Sequence, residues 1–200
     1  MMKHMVCKEI ILRILTGNYY VFKQIISREI RGVPNHILDL GCGTGILSGL
    51  FGDRAYTGID IDTRIITYAK RRYPRKKFFV MDGTSLSFPD KLFDTIIIVG
   101  VIHHLNDTQA KHTVRQVQRV LKPGGMVVAI EAIQPLSRFN IPGRLLRAFD
   151  EGNYIRTLDE YVTLFNRLCP VKKAYTRHGG LFDYAVCVLR MSSTLKRSIS

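Results

Sequence analysis

The chain has 200 residues, 46% of them apolar, enough for one domain to bury its own core, and its four cysteines (Cys7, Cys42, Cys169, Cys187) lack the CxxC spacing of a zinc site or a disulfide framework. No stretch is long and uncharged enough to span a bilayer, and no small-residue cleavage signal follows the apolar N-terminal run, so a soluble cytoplasmic protein with no metal is expected. Thirty Lys and Arg against 16 Asp and Glu leave a formal +14, a field that would draw nucleic acid, anionic lipid or a phosphorylated substrate, or would simply keep the surface soluble.

Taken in order, Lys3 to Leu15 and Tyr20 to Arg31 carry helical apolar spacing and are separated by a turn at Gly17 and Asn18. Tyr19, Tyr20 and Phe22 could form an aromatic lid or could be core contacts of the second helix. Ile37 to Leu40 reads as a buried strand. It runs into the glycine turn Gly41, Cys42, Gly43, Thr44, Gly45, and then into Ile46 to Phe51, which suits a helix. Ala55 to Ile59 is a second strand closed by Asp60, and Asp62 with Thr63 starts a helix to Arg72. Lys76 to Met81 contains a third strand, closed by Asp82 and Gly83. Asp94 to Gly100 is a continuous β-branched run, the composition of a central strand covered on both faces. Asn106 and Asp107 cap a helix to about Leu121, Lys122 to Gly125 stops it, and Met126 to Glu131 supplies a fifth strand. Strands alternating with helices predict an α/β fold, a parallel, doubly wound sheet. Gln134 to Tyr154 is an irregular excursion with one short helix around Gly143 to Phe149. Thr157 and Glu160 match a capping box for a helix to Leu168, and Val171 to Arg177 with Asp183 to Met191 form an edge hairpin. Ser192 to Ser200 is a polar, basic tail.

In such a sheet, ligands bind where the strands end, beside the first strand. The residues there are Gly41 to Gly45, Asp60, Asp82 and Val99 to His104. An acid ending the second strand, ~20 residues past the turn, can accept from ribose hydroxyls, and Asp60 fits. A dinucleotide fingerprint is GxGxxG, but here the pattern is GxGxG and Ile46 stands where the last glycine would fall, which weakens a pyrophosphate reading.

ILDLGCGTG, TGID, MDGTSLSF, FDTIIIVGVIHHL and VLKPGGMVVAIE, in that order from Ile37 to Glu131, resemble the successive motifs of class I S-adenosylmethionine-dependent methyltransferases, and most of all their small-molecule, quinone-biosynthesis-like branch. The resemblance implies a Rossmann-like seven-stranded sheet, mostly parallel with an antiparallel last strand, preceded by N-terminal helices. It implies one methyltransferase domain with a helical cap (1–33), a cofactor core (34–133), a substrate-side excursion (134–156), a helix and edge hairpin (157–191) and a tail (192–200). It further implies S-adenosylmethionine as cofactor. Gly41, Cys42, Gly43 and Gly45 would pass under its methionine part, with Asp39 bracing the loop. Asp60 would take the ribose hydroxyls and Asp82 the adenine amine, while Gly83 would offer a backbone contact and Ile61 an apolar wall. Val99 and Gly100 would floor the site near the sulfonium.

Methyl transfer from a sulfonium is an in-line displacement governed by alignment, so a base is needed only where the nucleophile must lose a proton. His103 and His104 are the candidates, with Glu131 behind them, although a histidine here can also pack or orient. The expected acceptor is a small molecule. The NPPY and Pro-Cys motifs of base-modifying enzymes are missing from the sequence, but +14 and the cluster Arg71, Arg72, Arg75, Lys76 and Lys77 leave RNA or another polyanion as an alternative acceptor. A cofactor-binding module without turnover is the other alternative. Tyr19, Tyr20 and the stretch Arg138 to Tyr154 are the expected lid.

Overall fold

The computed structural model describes residues 19–137, 139–148 and 152–193; the expected helix from Lys3 to Leu15, Arg138, Phe149 and the last seven residues of the tail lie outside them. Seven strands form one mixed sheet: β1 (Ile37–Leu40), β2 (Tyr56–Asp60), β3 (Lys77–Val80), β4 (Phe93–Val99), β5 (Leu121–Ile133), β6 (Val171–Gly179) and β7 (Phe182–Arg190). Their order across the sheet is β3-β2-β1-β4-β5-β7-β6. The first five run parallel, and β7 lies antiparallel between β5 and β6. The helices are α1 (Tyr20–Glu29), α2 (Thr63–Arg72), α3 (Asp107–Val120), α4 (Ile141–Ala148) and α5 (Leu158–Phe165).

The sheet is covered on both sides because its central strands are mostly apolar on both faces, and successive side chains point to opposite faces. Ile96 and Ile98 of β4 pack with Val127 and Ala129 of β5 under α3 and α5, against Val114, Val117, Tyr161 and Phe165. Ile97, Val128 and Ile130 face the other way, onto Phe22, Ile25 and Ile26 of α1. Polar chemistry starts the helices. Asp62 accepts from the Arg64 amide, and full capping boxes form at Asn106 with Gln109 and at Thr157 with Glu160.

Two local expectations need correction. The segment after the glycine turn is a single stretch of 3₁₀ helix, Ile46–Leu50, because Gly45 is left-handed and Phe51 is already extended, which leaves no room for α-helical turns. β5 also begins before Lys122 to Gly125 rather than after it. Leu121 pairs with Phe93 and Met126 with Thr95, so the intervening residues bulge out of the ladder, with Gly124 at φ +77°.

Candidate functional site

The parallel order places the ends of β1, β2, β3 and β4 side by side, with β1 at the point where the chain reverses direction across the sheet. Leu40 is in register with Ile59 and Ile98, and Asp60 with Val80. Gly41 to Gly45, Asp60, Asp82, Val99 and Gly100 therefore meet along one rim. The amides of Gly41 and Cys42 both donate to Ile59 O at 2.8 Å, which bends the chain away from the sheet as soon as β1 ends.

The turn needs glycine for two different reasons. Gly41 (φ +73°) lies under Val101, and a Cβ there would collide with the valine Cγ2. Gly43 (φ +52°) has nothing within 4 Å of where its Cβ would be, so the turn presents bare backbone to open space. Asp60 fastens this backbone. Its Oδ2 accepts from the Gly43 amide and its Oδ1 from the Asp62 amide, both at 3.0 Å. Each oxygen keeps a second acceptor site for an incoming hydroxyl. Next to it, Ile61 is 71% exposed, an apolar side chain with a bare face at a strand end. Asp82, also exposed, uses Oδ1 to accept from the Thr84 amide at 2.8 Å.

Asp39 lies beneath the turn. It is buried, it accepts from the Tyr56 hydroxyl at 2.6 Å through Oδ2, and its Oδ1 has no hydrogen-bond partner among the described residues. Burial pushes its pKa up to about 7, against the Tyr56 hydrogen bond, which favours the anion. Burial, followed by the charge of Asp39, raises the Tyr56 phenol in turn. Burial also holds the Cys42 thiol well above its ordinary value, which makes it an inert packing group.

The loop after β4 is held from two sides. Buried Glu131, two residues before the end of β5, accepts from the amides of Val101, Ile102 and His103 at 3.1, 3.0 and 3.3 Å, and its Oε2 lies 2.9 Å from His103 Nδ1. On the opposite side, the Arg156 guanidinium donates to the carbonyls of Ile102 and Leu105, both at 3.0 Å, and to Asp107 at 2.7 Å. His103 is buried, and Gly152 passes so close to its ring that a Cβ there would collide with Cδ2. His104 is exposed, its ring 4.1 Å from that of His103. Glu131 is thus a bracket for this loop. Sequence reasoning missed Arg156, which is remote in the chain and carries no motif. Val101 falls within the expected Val99 to His104 stretch, but its contact with Gly41 arises only when β1 and β4 become neighbours.

The suspected polyanion cluster is partly internal. Lys76 is an ion-pair partner of Asp53 at 3.0 Å and donates to Phe51 O, and Arg75 also binds Asp53, at 3.0 Å. Tyr19 and Phe22 belong to an aromatic contact with Tyr184, whereas Tyr20 is exposed. The hollow lined by Ile26, Ile30, Val33, Ile37, Leu50 and Phe51 is at the other end of β1 and is not part of this rim. No group of His, Cys, Asp and Glu suited to a metal ion occurs among the described residues. No helix among them is long and apolar enough to cross a membrane.

The sheet order is Rossmann-like, and residues 37–125, which carry the bare glycine turn after β1 and the carboxylates closing β2 and following β3, match the family model described as a methyltransferase domain. The cofactor this implies is S-adenosylmethionine. Gly43's open face, the spare acceptor sites of Asp60 and the uncovered Ile61 fit its aminoacyl, ribose and adenine parts. The chain is 34% identical over 116 residues to a demethylmenaquinone methyltransferase of Symbiobacterium thermophilum, a match covering 52% of this chain and 45% of that protein. It is 27% identical over 155 residues to the mouse protein named "Probable tRNA methyltransferase 9B", covering 76% of this chain and 34% of that one. The chain thus spans half or less of the length of these curated relatives. Among solved structures, a SAM-dependent methyltransferase of Methanosarcina mazei superposes with a TM-score of 0.70 at 21% identity, covering 85% of this chain and 98% of that one, which is a likeness of fold.

Proposed function

We propose that the protein transfers a methyl group from S-adenosylmethionine to a small-molecule acceptor. The observation that carries this reading is the Gly41 to Gly45 turn, open at Gly43 and fastened by Asp60. The demethylmenaquinone methyltransferase relatives favour a quinone-like acceptor. When bound, the cofactor supplies an activated methyl group on a sulfonium, a good leaving group that needs no further activation.

The chain's own residues would then have to orient and exclude water, a proximity effect worth up to ~7–11 kcal/mol in favourable cases. In this reading Asp60 receives the ribose hydroxyls, Asp82 accepts from the adenine amine through its second oxygen, and Ile61 and Gly83 flank the ring. Asp39 and Cys42 support the turn from below, and Gly45 lets it close against Phe78. Val99 and Gly100 form the floor, and Glu131 with Arg156 holds the Val101 to Leu105 loop in register above it. His103, fixed through Nδ1 to Glu131, is a positioning residue, and exposed His104 is the candidate to take a proton from the acceptor.

Labelled methyl from S-adenosylmethionine should enter the small-molecule or lipid fraction of a cell extract. Label confined to RNA would instead favour a polyanion acceptor, the reading to which the +14 charge and the mouse relative point. Label in no fraction would leave a binding module.

A further inference from the structure

The excursion after β5 turns an apolar surface outward. Leu136, Phe139, Ile141 and Leu145 are 62–78% exposed. Their exposure is built into the fold. The Leu136 amide donates to Asp183 Oδ2 at 2.9 Å, and Asn140 Nδ2 donates to Leu181 O at 2.9 Å, so the backbone that carries them is fastened to the β6–β7 turn. Ile141 and Leu145 are four apart on α4 and share one face. Tyr20, 60% exposed, joins this end of the molecule, because its neighbour Val21 packs within 3.4 Å of where a Cβ on Gly179 would sit.

The rim of this surface is basic. Arg144, Arg177 and His178 are exposed around it. Asp183, the acid beneath, is buried and already accepts from Leu136 and His178. A short basic helix with aliphatic side chains on one face, such as α4 with Phe139 just before it, suits the headgroup region of a bilayer, where apolar insertion and attraction to anionic lipid add. A second copy of the chain would bring the same charge, +14 against +14, to the contact. A polynucleotide would answer the arginines but leave the four apolar side chains in water.

We propose that this surface docks the protein on an anionic lipid bilayer, with Phe139, Ile141 and Leu145 entering the interface. The docking rests on exposure and charge alone. Its consequence, that a lipid-soluble acceptor reaches the cleft from the membrane, rests on the methyl-transfer reading.

The sequence contains no tryptophan, so Phe139→Trp is a single reporter. With vesicles of phosphatidylglycerol and phosphatidylcholine at physiological salt, its emission should move to shorter wavelength and be quenched by brominated acyl chains. Phe79→Trp, at the β3 edge, should do neither. Phe139→Asp combined with Leu145→Asp should weaken partitioning at least about tenfold, and Arg71→Glu with Arg72→Glu should weaken it far less. The thermal shift of the Asp pair with S-adenosylhomocysteine should stay as in the parent, which checks folding and separates this test from that of methyl transfer. Absence of vesicle binding would overturn the proposal. So would binding in which the indole of the Phe139→Trp variant stays in water, binding insensitive to the Asp pair, or a dimer that the Asp pair dissolves while vesicles are ignored.

Discussion

The two sides of the cleft are built by different physics. On the proposed cofactor side, Gly41 to Asp82, the decisive contacts are backbone geometry and short-range hydrogen bonds: left-handed glycines, a carboxylate fastened to Gly43, a strand end at Asp60. On the proposed acceptor side, after β5, the backbone is fastened by distant partners such as Asp183 and Leu181, and the large apolar side chains of Leu136, Phe139, Ile141 and Leu145 face out. The first arrangement tolerates few residues at each position and so leaves a motif. The second can be achieved by many sequences, which is why acceptors can vary on one scaffold.

Substitutions should separate the two sides by how much stability each costs. Gly41→Ala should be the most damaging, losing about 2–5 kcal/mol in urea unfolding from a left-handed backbone and collision with Val101. Gly43→Ala should lose only about 1–2 kcal/mol, because its Cβ would meet open space, and should instead impair cofactor binding. Equal stability losses at the two glycines would break the distinction between a packed and an open position. Glu131→Ala, at the seam between the two sides, should cost about 3 kcal/mol by stranding the amides of Val101, Ile102 and His103. An unchanged unfolding midpoint would show that water replaces the carboxylate.

The legibility of the sequence follows the same divide. The rim residues Gly41, Asp60 and Asp82 were readable because each ends or follows a strand whose pattern is visible locally, and the helix caps at Asp62, Asn106 and Thr157 were readable from side-chain chemistry. The 3₁₀ stretch Ile46–Leu50 was misread as an ordinary helix because periodicity cannot distinguish the two over five residues. Arg156 left no signal, since its partners in the loop lie 51 and 54 residues away, and the contact of Val101 with Gly41 exists only across the β1–β4 pairing. Glu131 was legible as a strand-end acid, but its three amide partners, which define its task, were not.

Two smaller effects sharpen the contrast. The Asp39 pKa is raised in the folded state, so the folded protein retains a proton that the unfolded chain releases; stability from this group falls as pH rises from about 4 to about 7. Asp39→Asn cannot ionise and should gain about 1–3 kcal/mol relative to the parent between pH 5 and pH 8, read from unfolding midpoints at each pH. Parallel pH profiles would mean that Asp39 is ionised in place. Phe139→Ser should change stability by less than about 0.5 kcal/mol, as expected of an exposed site, while leaving cofactor affinity intact.

The central claim, that the turn fastened by Asp60 is the cofactor cradle, is tested most directly by calorimetric titration of S-adenosylhomocysteine into the parent and into Asp60→Ala. The account predicts saturable binding at one site in the parent and a loss of affinity of at least about tenfold in the variant, since each hydrogen bond to a charged group is worth about 1.5–3 kcal/mol. Equal affinity in the two proteins, or no binding to the parent, would contradict it.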